Sequence, residues 1–191
     1  MTKGRLEAFS DGVIAIIITI MVLELRVPHG ANLAALRPLI PKFMCYVLSF
    51  VMLGIYWNNH HHLLQAVRQV DGRVLWANLH LLFWLSLIPF VTGWMGEHSF
   101  AATPVAAYGA VMLFAGTAYY ILSRALIALH GADSPIAKAI GEDSKGKISL
   151  VIYVAAMPLV LVNPLLSCAL YVLVAIMWLI PDRRLEQTVA R

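Results

Sequence analysis

A chain of 191 residues could fold as one soluble domain, but 61% hydrophobic and only 13% charged residues, with a mean hydropathy of +0.79, lie well outside globular norms. Apolar runs long enough to cross a hydrocarbon core of about 30 Å recur along nearly the whole sequence, which leaves no room for a separate soluble domain. The net charge of +4 comes from Lys and Arg near the ends of those runs, with no long basic stretch and no RNA- or DNA-binding motif, so membrane topology explains it and nucleic acid is excluded as a partner.

The predicted fold is all-α and integral to the membrane, a single domain over residues 1–191 with six helices at about 9–27, 40–65, 74–95, 101–129, 148–162 and 164–181. The opening MTKGR leads straight into an acid-bearing segment and offers no small-residue cleavage site, so the first apolar helix is expected to stay. On that helix Ile16, Ile20, Leu23 and Val27 fall on one narrow stripe, with Gly12 and Thr19 along its edge and Asp11 nearly opposite. Such a stripe ordinarily faces lipid or a neighbouring helix. It equally suits a symmetry axis, where copies of the chain would stack it as apolar rings able to gate by dewetting. Periodicity alone does not separate the two.

Asp11 is more informative, because an ionised carboxylate within a membrane helix is expensive and calls for a partner or water. The second segment ends, and the third begins, at the same end of the bundle as Asp11. Those ends carry Asn58, Asn59, His60, His61 and His62, then Asn78 and His80. A buried polar network joining the three segments, a proton relay, and a solvated vestibule are the readings these residues allow. The HHH run is not a metal site, since consecutive helical residues point about 100° apart and cannot chelate one ion together. His80 lies one turn before Trp84 and is read as packing or hydrogen-bonding there.

In the fourth segment Ala106, Gly109, Ala110 and Gly116 form a small-residue face for close helix packing. Pro158 and the Asn163-Pro164 pair make the fifth segment short and join it to the sixth by a tight turn. Cys45 and Cys168 lie within apolar runs and read as packing residues. Glu142 and Asp143 sit in a polar loop and are simply solvated. No nucleophile elbow or HExxH occurs, and a hydrolase built from Ser10, Ser49 or Ser86 with a histidine has no motif behind it, so no enzyme is expected.

Ten Lys and Arg (Lys3, Arg5, Arg68, Arg73, Lys138, Lys145, Lys147, Arg183, Arg184, Arg191) fall on one side of the six-span topology, against Arg26, Arg37 and Lys42 on the other, which makes both termini cytoplasmic. Trp57, Trp76, Trp94 and Trp178 lie near segment ends, as interfacial anchors do, while Trp84 is mid-segment. No internal repeat is found, whereas many secondary transporters build a midplane site from two related halves. If the first helix lines a pathway, several subunits must each supply one.

Arg5, Phe9, Ser10 and Asp11 spell RxxxFSD at the opening of the first span. With YWNNHHHLL in the second and NLHLLFWLSLIPFVT in the third, the chain resembles the transmembrane protein 175 family of potassium channels. Residues 148–191 add little to the likeness. In that family animal proteins carry two six-span repeats and form dimers, while bacterial relatives carry one and form tetramers, so the resemblance implies a homotetramer without a TVGYG filter. It also implies a pore lined by the first helix, with Ile16 at the constriction, Ile20 and Leu23 as further apolar rings, and Thr19 tied to potassium preference. Arg5, Phe9, Ser10 and Asp11 become structural, bonding toward His60, His61, His62, Asn78 and His80 on helices two and three. The expected function is a potassium-preferring cation channel in the cell membrane. It needs no cofactor, has potassium as permeant, and has itself and membrane lipid as partners. A proton-coupled transporter or proton leak using Asp11 and the histidines is the alternative, and a scaffold without transport the third reading.

Overall fold

Helix α1 (Lys3–Ile20) starts ahead of the apolar run, because Arg5, Leu6, Glu7 and Ala8 are strong helix formers. It tightens into a 3₁₀ turn over Met21–Glu24 and stops at Leu25, whose ψ of 88° is not helical. Pro28 lies just beyond, and the residue before a proline is pushed out of the helical region, so the first helix ends before Val27. The computed structural model describes residues 2–141 and 143–179. Glu142, the tail arginines Arg183, Arg184 and Arg191, and the sixth segment beyond residue 179 lie outside the described residues.

A second 3₁₀ stretch, Leu33–Leu39, capped by the Asn32 side chain, leads into α2 (Ile40–Gln65), which carries Pro41 in its first turn, where a missing N–H is harmless. The predicted third segment is broken in two: α3 (Gly72–Ser86) and α4 (Ile88–Glu97) meet at Leu87. Pro89 is the cause. It has no N–H to return to Leu85 and its ring crowds that carbonyl, so the turn is closed instead by Leu87 N–H to the Trp84 carbonyl at 3.2 Å.

Helix α5 (Ala102–His130) ends at Gly131, whose φ of 89° a side chain would strain. A short helix that the apolar pattern does not announce, α6 (Pro135–Ile140), follows with Ser134 as its cap. Helix α7 (Ser144–Val162) starts before the apolar run, because Asp143 accepts from Gly146 N–H at 3.1 Å and caps the turn. It runs on through Pro158. Asn163 then turns the chain within one residue, its Oδ1 accepting from Leu165 N–H at 2.9 Å, into α8 (Pro164–Leu179).

Among the described residues five stretches are long and apolar enough to span a membrane: Lys3–Glu24, Leu33–Gln65, Gly72–Glu97, Ala102–His130 and Ser144–Val162; α8 is apolar and has 16 described residues. The chain is therefore an all-helical, multi-pass membrane protein. Helix α5 is the centre of the bundle, packed by α3, α4, α7 and α8, whereas α1 rests on α2 and α3 at one side. Ser49 Oγ ties three helices together from α2, 2.7 Å from Thr92 Oγ1 on α4 and donating to Tyr108 Oη on α5 at 3.2 Å. The small-residue face does what its size permits: Tyr171 Oη of α8 seats against Gly109 and donates to the Val105 carbonyl at 3.2 Å. Cys45 and Cys168 are free thiols.

Candidate functional site on the first helix

The two faces of α1 differ in what covers them. Leu6, Ser10, Ile14, Ile17 and Met21, at helical spacing, are buried against the bundle. Ile16 is 61% exposed, Ile20 42% and Leu23 76%, and all three point away from it. Leu23 belongs to the 3₁₀ turn, which advances about 120° per residue, so the stripe bends where the α-helix ends. Val27 lies beyond the helical part.

Thr19 sits on the exposed side between the isoleucines. Its hydroxyl donates to the Ile16 carbonyl at 2.9 Å. With the proton turned inward, the acceptor lone pairs are left for an approaching donor or cation.

Behind the stripe runs a directed hydrogen-bond chain across three helices. His60 Nε2 of α2 lies 2.7 Å from Asn78 Oδ1 of α3, Asn78 Nδ2 donates to Ser10 Oγ of α1 at 2.9 Å, and Ser10 Oγ donates to the Leu6 carbonyl at 2.9 Å. All three residues are fully buried. Because the asparagine amide donates to serine, its oxygen must face histidine, and His60 therefore carries its proton on Nε2. Among the described residues His60 Nδ1 has no partner, and neither does His62 Nδ1.

Asp11 takes a different partner from those the sequence offers. Trp57 Nε1–H donates to its Oδ1 at 3.0 Å, and one turn below, Glu7 Oε1 lies 3.5 Å from His61 Nδ1. Trp57 and His61 stack at 5.9 Å, and Gln65 Nε2 reaches His61 Nε2 at 2.7 Å. The result is a ladder: two acids four apart on α1 meet an indole and an imidazole four apart on α2. Neither Glu7 nor Trp57 stands out in the sequence as a site residue, although the matched spacing was there to be read.

The remaining motif residues fall outside both sets of contacts. Arg5 is exposed and its side chain forms no ion pair or hydrogen bond among the described residues, so the expected bond to helices two and three is not made. Phe9 is 49% exposed and turned outward. His80 is exposed and accepts from Trp84 Nε1–H at 2.9 Å on its own helix, rather than joining the network. No group of three or more potential metal ligands occurs among the described residues.

Fold and site together define a multi-pass helical membrane protein whose first helix is clamped by its polar back and presents an uncovered apolar front. The model of the family described as Endosomal/lysosomal potassium channel TMEM175 matches residues 5–89. A potassium channel of a Chryseobacterium species is 53% identical over 188 residues, 98% of either chain. The endosomal/lysosomal proton channel TMEM175 of Gallus gallus is 34% identical over 47% of this chain and 20% of its own length. The crystal structure of a lysosomal potassium-selective channel TMEM175 homolog from Chamaesiphon minutus matches with a TM-score of 0.79 at 28% identity, over 92% of this chain and 95% of that one. The chain belongs to the TMEM175 family, a family of ion channels and not of enzymes.

Proposed function

We propose that this protein is a potassium-preferring cation channel, conducting passively through a central pore that α1 lines in a homotetramer of six-span subunits. The observation that carries the reading is the exposure of Ile16, Ile20 and Leu23 on a helix that buries Leu6, Ser10, Ile14 and Ile17 against the bundle. Four copies of that face around an axis stack as apolar rings, with Ile16 as constriction and the rings together as gate. Helix α8 is the sixth span. An even number of spans puts both termini on one side, the cytoplasmic side by the excess of Lys and Arg. The cell membrane is its location, and potassium its permeant.

Isoleucines cannot replace an ion's hydration shell as carbonyl rings do, so ions pass largely hydrated. Discrimination then rests on the energy of squeezing the shell, which is lower for the larger, weakly hydrated potassium ion, while the Thr19 hydroxyls supply partial replacement. Selectivity is accordingly modest. Potassium against sodium flux in liposomes containing only the purified protein tests this. Voltage-driven, non-saturating flux favouring potassium is expected. Saturating flux that requires a proton gradient would replace the channel with a proton-coupled transporter, and no flux would leave a scaffold.

A further inference from the structure

Between α2, α5, α7 and α8, at the side of the bundle away from α1, lies a narrow, partly open slot. Met52, Ile55, Leu150 and Val174 make its walls apolar. Gly116 gives it depth, since a Cβ there would stand 3.1 Å from Leu150 Cδ2. Tyr153 also lines it, is 2% exposed, and its hydroxyl has no hydrogen-bond partner among the described residues. Buried hydroxyls are normally satisfied, so this one calls for an acceptor that the described residues do not supply.

A second recess opens beside the first and shares Tyr120 and Asp143 with it. Its lining is polar, with Ser123 and two cations, Arg124 and Lys147, against the one carboxylate of Asp143, whose Oδ1 already accepts from Gly146 N–H. Neither cation is in an ion pair among the described residues. The recess lies between the last third of α5 and the start of α7, toward one end of the bundle, so an apolar slot among spanning helices runs up to a pocket with two cations. Basic pockets between spanning helices suit anionic headgroups.

We propose that the two recesses form one binding site for an anionic phospholipid, its phosphate on Arg124 and Lys147 and one acyl chain in the slot, with an ester carbonyl accepting from Tyr153 Oη. A soluble phosphate compound would satisfy the cations but leave the apolar slot unfilled; a neutral lipid would fill the slot but not answer the cations. The geometry has the right reach. Tyr153 is ten residues along α7 from Asp143, roughly 15 Å of helix rise. Its ring leans back toward the start of the helix, which brings the hydroxyl up toward the depth of the glycerol esters. Helices α7 and α8 pack on α5 rather than on α1, so the lipid sits on the outer side of the subunit and would not obstruct a pathway along α1.

Native mass spectrometry of the full chain, purified in detergent and exposed in turn to phosphatidylglycerol, phosphatidylcholine and glycerol phosphate, tests the site. Phosphatidylglycerol is expected to be retained over phosphatidylcholine. The Arg124→Gln/Lys147→Gln double variant, whose changes leave the buried core untouched, should lose that preference by roughly tenfold or more. Tyr153→Phe, which removes only an unpaired hydroxyl, should weaken retention of both lipids alike. Equal retention of the two lipids by the unaltered protein, or unchanged phosphatidylglycerol retention in the double variant, would overturn the proposal. So would glycerol phosphate held as strongly as phosphatidylglycerol, which would make a soluble anion the ligand.

Discussion

His60 and Asn78, fully buried with 2.7 Å between Nε2 and Oδ1, each have only one orientation that satisfies their neighbours. The amide must give its hydrogen to Ser10 Oγ, 2.9 Å away, so its oxygen must receive one from the imidazole. The chain of donors ends on the Leu6 carbonyl of α1. Three helices are thereby fixed in rotation relative to one another, and the rotation of α1 decides that the Ile16 stripe faces outward.

Replacing Asn78 by leucine removes both bonds and leaves the His60 Nε2–H buried without an acceptor. An unsatisfied buried donor costs about 1–3 kcal/mol, and the loss of packing complementarity adds to it. Asn78→Leu should therefore lower the Tm of the detergent-purified protein by several degrees, and Ser10→Ala by less, since serine ends the chain and alanine leaves only the amide unpaired. An Asn78→Leu protein as stable as the parent would remove the structural role.

The ladder on the flank makes a separate prediction. Asp11 and Trp57 meet at 3.0 Å at an exposed position, where a charge-assisted bond is worth less than in the core. In a double-mutant cycle of Asp11→Ala and Trp57→Phe, read as unfolding midpoints, a coupling of about 0.5–1.5 kcal/mol is expected. A coupling of zero would mean that the contact holds nothing.

Much of this was legible before any coordinates. Residue types and spans for the buried chain were there, as was the separation of α1 into a polar back and an apolar front. Which of three consecutive histidines turns inward was not, because that depends on the rotation of α2, set by distant contacts such as Ser49 with Thr92 and Tyr108. Polarity pairs Asp11 with the nearby asparagines and histidines, whereas its partner is the indole of Trp57, a residue type that also suits an interfacial anchor. The break at Leu87 follows from Pro89 and could have been foreseen; it was hidden by apolar continuity across the proline. Helix α6 has no apolar run to mark it, only a Ser-Pro start.

Close packing of α5 on α8 turns on one missing side chain. A Cβ at Gly109 would run into Tyr171 Oη and lie 2.8 Å from its Cζ. Both are deep in the bundle, so neither helix can yield cheaply. Overpacking of this kind costs about 1–3 kcal/mol, and Gly109→Ala should lower the Tm accordingly. Tyr171→Leu alone also destabilises, by opening a cavity and losing the bond to Val105. Combined, the two should cost less than the sum of the singles, since the smaller residue admits the added methyl; strict additivity would show that the clash is elsewhere.

The sharpest functional prediction concerns Ile16 and Thr19, neighbours on the exposed side of α1 joined by the 2.9 Å bond from the threonine hydroxyl to the isoleucine carbonyl. If Ile16 forms the narrowest apolar ring, a polar side chain there keeps the constriction wet. It also gives sodium, the ion with the tighter shell, ligands in exchange for the water it must shed. Ile16→Asn should therefore raise cation leak and pull the potassium-to-sodium permeability ratio toward unity. Thr19→Ala removes the hydroxyl oxygens that lie beside the ring, so potassium preference should fall while the apolar constriction, and hence closure, is kept. The two substitutions separate gating from selection: one changes leak and preference together, the other preference alone. Reversal potentials under opposed potassium and sodium gradients read both, and potentials unchanged in both variants would sink the assignment of α1 as the pore lining.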